Sequence, residues 1–206
     1  MLRVYGFNES GNCYKVKLLL KQLCRQFEWV NIDILKKENR TPDFLAKNPH
    51  GKVPLLEIET GTFLWESNAI LCYLSEGTNL LPNNRLEHAQ TLQWLFFEQY
   101  SHAPNLAIAR YITRYLGAAS EYQQTLTAKR ELGYVALDIM EKHLTTRQFF
   151  LGDHYTIADI ALYAYTHVAD EGGFDLTNYR FIKTWLELVR TQPNHITMNS
   201  LEQASV

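Results

Sequence analysis

Every strand-like run in this chain lies before residue 66, and from Leu86 onward only helical spacing remains. Strands first and helices after imply two segregated units rather than one alternating sheet. The first unit reads in order. Leu2 to Phe7 is a short apolar strand, and Asn8, Ser10, Gly11 and Asn12 make a polar turn. From Tyr14 to Phe27, Val16, Leu18, Leu19, Leu20, Leu23 and Phe27 recur at helical spacing, leaving Lys15, Lys17, Lys21 and Arg25 for the wet face. Glu28 to Ile34 reads as a second strand. Thr41-Pro42 opens a short helix through Leu45, since Pro suits the first helical position. Val53 to Ile58 and Thr62 to Trp65 flank Thr60-Gly61, a hairpin signal, and Ser67 starts another helix. The order is βαβαββα. Its βαβ part requires a parallel pair with a right-handed crossover, and the closing hairpin is antiparallel.

After Gly77 the pattern changes. Thr78 to Arg85 carries Pro82, Asn83 and Asn84, which suit a linker. Long amphipathic stretches follow over Leu86–Leu116, Glu121–Leu144, Thr156–Ala169 and Tyr179–Thr191, punctuated by Gly117, Gly152 and Gly172-Gly173. The expected division is an α+β domain over residues 1–77, a linker over 78–86 and an all-helical domain over 87–206.

The formal net charge of -2 gives no nucleic-acid footprint. No apolar run approaches the ~18 residues of a membrane span. MLRVYGF begins as a strand, without a basic segment followed by an apolar one, so secretion is not indicated. Three cysteines without paired spacing argue against a disulfide framework, and a reducing cytoplasm is expected. The seven histidines show no metal-binding spacing, so no metal is expected.

Three places carry possible chemistry. Ser10, between a strand and a helix, suits an N-cap. The same helix start offers N–H donors and partial positive charge to an anion, including a ligand thiolate. Lowering a thiol from a reference pKa of ~8.5 by two units takes ~2.7 kcal/mol, within reach of a hydroxyl and backbone amides. Cys13, in the same first turn, is either a packed residue or an activated thiol. Cys24 and Cys72 fall among apolar helical neighbours and read as core thiols. Pro54 suits the start of a strand. A cis Val53-Pro54 bond there would leave the Val53 amide and carbonyl open to an extended peptide; a trans bond in a plain loop is the alternative. Glu66-Ser67-Asn68 joins the last strand to a helix. Ser67 is a good N-cap, and a free α-carboxylate could bind there with its α-amine on Glu66.

Together these stretches resemble the glutathione S-transferase family: Ser10-Gly11-Asn12-Cys13-Tyr14-Lys15-Val16, Asn48-Pro49-His50-Gly51-Lys52-Val53-Pro54-Leu55, Trp65-Glu66-Ser67-Asn68-Ala69-Ile70 and Thr156-Ile157-Ala158-Asp159. Their order and spacing over the full length carry the likeness, closest to the cytosolic, serine-type, theta- and nu-like classes. The resemblance implies a thioredoxin-like domain followed by an all-helical one. It implies Ser10 as the hydroxyl that stabilises the glutathione thiolate, with Asn12 or Cys13 assisting at the sulfur. Val53 beside a cis Pro54 would pair with the cysteinyl backbone. Glu66, Ser67 and Asn68 would hold the γ-glutamyl end, and Gly51 and Lys52 the glycyl region. Tyr5 lies within the strand, ahead of the turn, and is a poor substitute for the catalytic tyrosine of other classes. Thr156 to Asp159 reads as a capping box with a folding role, flanked by Tyr155 and Ile160 as a hydrophobic staple.

The resemblance also implies a site for a small hydrophobic electrophile, for which Phe7, His102 and Tyr111 are candidates. The aromatic stripe Trp94, Phe97, Tyr100 and Tyr111 is more often core or interface. A homodimer is implied, with the Ser67–Ser75 helix and the Leu86–Leu116 stretch at its interface. Two alternatives stay open: a non-catalytic protein-binding module of the same fold, and a thiol–disulfide oxidoreductase working through Cys13.

Overall fold

A computed structural model of the chain describes residues 1–198. Four strands form one sheet in the order β2-β1-β3-β4: β1 Leu2–Gly6, β2 Phe27–Asn31, β3 Leu55–Glu59 and β4 Thr62–Trp65. β1 and β2 are parallel, and β1–β3 and β3–β4 are antiparallel. The thioredoxin-like βαβαββα order is therefore present. Gly61 takes φ 83° at the hairpin, a conformation that glycine reaches without steric cost. Helix α1 spans Gly11–Gln22, α2 Pro42–Lys47 and α3 Ser67–Ser75.

Helix α1 is buried almost all round rather than on one face. Lys15 and Lys17 are 0% and 2% exposed, against the expectation that they face water. At helical spacing Lys15 shares a face with Gly11, Leu18 and Leu19, so the neighbours of the charge carry it inward. The Lys17 ammonium lies 5.0 Å from the Trp29 ring centre, a cation–π contact that offsets part of its desolvation. Helix α1 also ends earlier than its apolar spacing suggests. Cys24 lies beyond it with φ 53° and is exposed, and Cys72 is only partly buried, so neither is a core thiol.

The chain divides into two compact units, one of Met1–Glu76 with the segment from Pro193, the other of Gly77–Gln192. Residues 193–198 thus return to the first unit, although their sequence places them with the helical domain. The Tyr14 hydroxyl donates to the Ile196 carbonyl at 2.7 Å, and Asn194 lies 3.2 Å from Cys24.

The second unit is helical: α4 Arg85–Phe97, α5 Ala103–Tyr115, α6 Gln123–Leu144, α7 Ile157–Thr166 and α8 Arg180–Arg190. The stretch expected as one helix over Leu86–Leu116 is two, joined by a π-helical turn at Glu98–His102. Pro104 supplies the reason, since it has no N–H to continue the ladder. Every residue of α7 is buried, and Thr156 caps it in a box completed by Asp159. Asp159 accepts from the Thr156 N–H, the Thr156 hydroxyl, the Phe150 N–H and the Trp185 indole N–H at 2.9–3.3 Å. The aromatic stripe splits. Trp94 is buried against Phe97, His143 and Phe150, whereas Tyr100 is exposed. Among the described residues, no helix is long and apolar enough to cross a membrane.

Candidate functional site

The sheet register gathers three loops at one end of the first unit. Tyr5 near the end of β1 is opposite Leu55 at the start of β3, and Leu55 is opposite Trp65 at the end of β4. The turn leading to Ser10, the Val53-Pro54 bond and the Glu66-Ser67 junction therefore emerge together.

Ser10 is the N-cap of α1. Its Oγ accepts from the Cys13 N–H at 3.4 Å, a long bond that leaves the hydroxyl hydrogen for another acceptor. Cys13 is fully buried, and the Phe7 N–H donates to its sulfur at 3.4 Å. Burial pushes the Cys13 thiol up to about 11, against the opposing pull of the Ser10 hydroxyl, the Phe7 N–H and the Lys15 charge. A thiol in that state is packed and protonated at neutral pH, unlike an activated nucleophile.

The Val53-Pro54 bond is cis. Among the described residues, no hydrogen bond engages the Val53 N–H or C=O. Val53 is partly exposed, so its donor and acceptor form a short open strand edge. The loop before it is braced. Asn48 donates to the Lys52 carbonyl at 2.8 Å and Asn39 to the Gly51 carbonyl at 2.7 Å. Gly51 has φ 64°, a left-handed conformation in which a side chain would be strained. The Lys52 side chain is exposed.

At the third loop the sequence-based expectation is corrected. The N-cap of α3 is Glu66, with φ 70° and ψ 112°, and Ser67 is the first helical residue. Such a backbone for a glutamate costs about 1–3 kcal/mol and persists where the surroundings hold it. Freed from capping, the Ser67 hydroxyl looks sideways. It donates to Asn12 Oδ1 at 3.4 Å and accepts from Lys15 Nζ at 3.2 Å. Lys15 also donates to Asn68 Oδ1 at 3.3 Å. The first turns of α1 and α3 are thus tied through Asn12, Lys15, Ser67 and Asn68. Two helix N-termini converging in this way suit anionic groups.

Lys15 is a member of this cluster that the sequence does not announce, because a cation in a helix is assigned to water. Its face, shared with Gly11, Leu18 and Leu19, is the available signal. Tyr5 braces the sheet instead of the site. Its hydroxyl donates to Glu57 at 2.8 Å, within an Arg3–Glu57–Glu28 network. Phe7 is partly exposed beside the Ser10 turn. In the second unit, Tyr111 is 42% exposed, with its ring tilted against that of Tyr115. His102 is fully buried with Nε2 2.9 Å from Thr166 Oγ1, which makes it a packed bond rather than an open wall. Among the described residues, no group of His, Cys, Asp or Glu could hold a metal ion.

Residues 1–76 match the family model for the glutathione S-transferase N-terminal domain, and residues 96–193 that for the C-terminal domain. A glutathione S-transferase of Zea mays is 31% identical over 93% of this chain and 90% of its own length. The chain belongs to the glutathione S-transferase family. A solved glutathione S-transferase from Pseudomonas fluorescens superposes with a TM-score of 0.94 at 52% identity, covering 96% of this chain and 98% of that one. A second family member from the same organism, solved with two glutathione bound, has a TM-score of 0.83 at 25% identity over 94% and 89% of the chains. Within this family the three converging loops belong to the N-terminal domain, and the buried capping box to the C-terminal one.

Proposed function

We propose that the chain is a glutathione transferase that binds glutathione across the three loops of its first unit and activates its thiol. The observation that carries this reading is the unused Val53 main chain beside cis Pro54, flanked by two helix starts that carry Ser10 and Ser67. Val53 pairs in both directions with the cysteinyl residue of the ligand, as one added strand. That pairing directs the ligand's sulfur toward Ser10 and its γ-glutamyl end toward Glu66, Ser67 and Asn68. The glycyl end lies near Gly51 and exposed Lys52, whose charge suits a carboxylate.

The chemistry follows from charge. The Ser10 hydroxyl donates to the ligand sulfur, and the α1 N-terminus with Asn12 adds partial positive charge, so the thiolate forms near neutral pH. Ser10 forms no covalent intermediate. The thiolate attacks an electrophilic carbon, a peroxide or a disulfide, held at fixed distance and orientation. Phe7, partly exposed beside the Ser10 turn, is the first unit's candidate for the electrophile's apolar surroundings. Cytoplasmic residence and a homodimer go with this reading.

Two other readings compete. A non-catalytic module has no use for a strained Glu66 and an open Val53 edge. A Cys13 oxidoreductase needs a reactive sulfur, and this one is buried with its pKa pushed up to about 11. The test is a screen of aryl halides, epoxides, peroxides and disulfides with glutathione. Ser10-dependent turnover of at least one is expected. Glutathione binding with no turnover of any class would favour the module, and turnover abolished by Cys13→Ser but not by Ser10→Ala would favour the oxidoreductase.

A further inference from the structure

Lys15 stands behind the residues assigned to the γ-glutamyl end, entirely out of solvent. Its ammonium meets the side-chain oxygens of two successive residues of α3, Ser67 Oγ at 3.2 Å and Asn68 Oδ1 at 3.3 Å. Both groups are ambivalent by themselves. A serine hydroxyl rotates to suit its neighbours, and a primary amide presents either its oxygen or its NH2. A cation on one side removes that freedom. The oxygens turn toward the ammonium, and the hydroxyl hydrogen and the amide hydrogens turn away from it. The Ser67 hydroxyl does so here, donating to Asn12 Oδ1 at 3.4 Å, a long bond that a carboxylate oxygen can displace.

We infer that Lys15 is a positioning residue for glutathione recognition, holding Ser67 and Asn68 as donors toward the ligand's α-carboxylate. This rests on the glutathione reading given above. A donor whose oxygen already accepts a charged N–H is also polarised, and so binds an anion more strongly than a free hydroxyl. The consequence is specificity. An acceptor that lacks the negative charge gains little from donors oriented in this way, so discrimination for the α-carboxylate depends on a residue that does not touch it.

The experiment compares glutathione with 4-aminobutyryl-cysteinylglycine, which differs only in lacking the α-carboxylate. Affinities for both are measured by calorimetry on the full chain, on Lys15→Met and on Lys15→Gln. Wild type is expected to prefer glutathione, and Lys15→Met to reduce that preference about tenfold, the scale of one charge-assisted hydrogen bond. Ser67→Ala should reduce the preference in wild type and change it little further in Lys15→Met, because the two act on one contact. Lys15→Gln retains a donor without the charge and should fall between; it carries the comparison if Lys15→Met fails to fold. A wild-type chain that binds neither peptide overturns the glutathione reading itself. Normal glutathione binding to wild type, with both peptides weakened equally by Lys15→Met, overturns the positioning role alone.

Discussion

Replacing Ser10 by Ala removes two things, and their magnitudes separate them. The first is the cap of α1. Its bond to the Cys13 N–H is long, 3.4 Å, so the loss of stability should sit near the low end of the capping range, about 0.5–1 kcal/mol. Against a typical 5–15 kcal/mol of folding stability, the variant stays folded. The second is the donor to the ligand's sulfur. A hydrogen bond to a charged group contributes about 1.5–3 kcal/mol, which raises the bound thiol's pKa by about 1–2 units. The rate of conjugation should therefore fall about tenfold or more at pH 6. It should recover as pH rises through the new pKa, since thiolate then forms without help. The assay is the pH profile of kcat at saturating glutathione with an aryl halide, alongside ultraviolet absorbance of the bound thiolate. A profile lowered equally at every pH would show that Ser10 acts on geometry rather than ionisation. An unchanged profile would refute its role altogether.

Four further outcomes follow from contacts elsewhere in the chain. Asp159→Ala leaves four donors without their acceptor in the buried capping box, so it should lower stability by at least about 3 kcal/mol while folded protein keeps its turnover; melting paired with activity of the folded fraction checks this. Burial raises the Asp159 carboxyl from 3.8 to about 6 despite those donors. The folded state then holds the extra proton, so the group's contribution is fully present below about pH 4 and is lost as pH rises through about 6. It is read as the difference between wild-type and Asp159→Ala denaturation curves across that window. With its thiol near 11, Cys13 should resist alkylation at neutral pH while exposed Cys24 reacts; mass spectrometry of the briefly treated native protein decides, and equal labelling contradicts the burial. A glutathione analogue methylated at the cysteinyl nitrogen should bind about tenfold more weakly, because it cannot donate to the Val53 carbonyl.

Much of the fold is legible in the sequence where a residue's local chemistry and its tertiary role agree. Thr62 to Trp65, the Thr60-Gly61 turn and the Thr156–Asp159 box follow from pairing, φ and capping rules that act over a few residues. Ser10 as a cap is of the same kind. The failures arise where packing overrides a local rule. Lysines at 15 and 17 read as solvent-facing, yet α1 is covered on nearly every side. Ser67 reads as a cap, yet Glu66 takes that place with φ 70°, and this frees the serine for lateral bonds. His102 reads as a polar candidate in a helical stretch, but Thr166, 64 residues on, claims its ring. Apolar spacing through Leu86–Leu116 hides a break that Pro104 signals. The return of residues 193–198 to the first unit runs through contacts such as Tyr14 to Ile196 and Asn194 to Cys24, which no periodicity records.

The central claim is that glutathione lies along Val53 between the two helix starts. Backbone amide spectra recorded during a glutathione titration test it most directly. Saturable shifts concentrated at Gly11, Asn12, Cys13, Val53, Ser67 and Asn68 are expected, with the Val53 amide among the largest because it gains a hydrogen bond. No saturable shift at millimolar glutathione, or shifts confined to residues outside these three loops, would contradict the account.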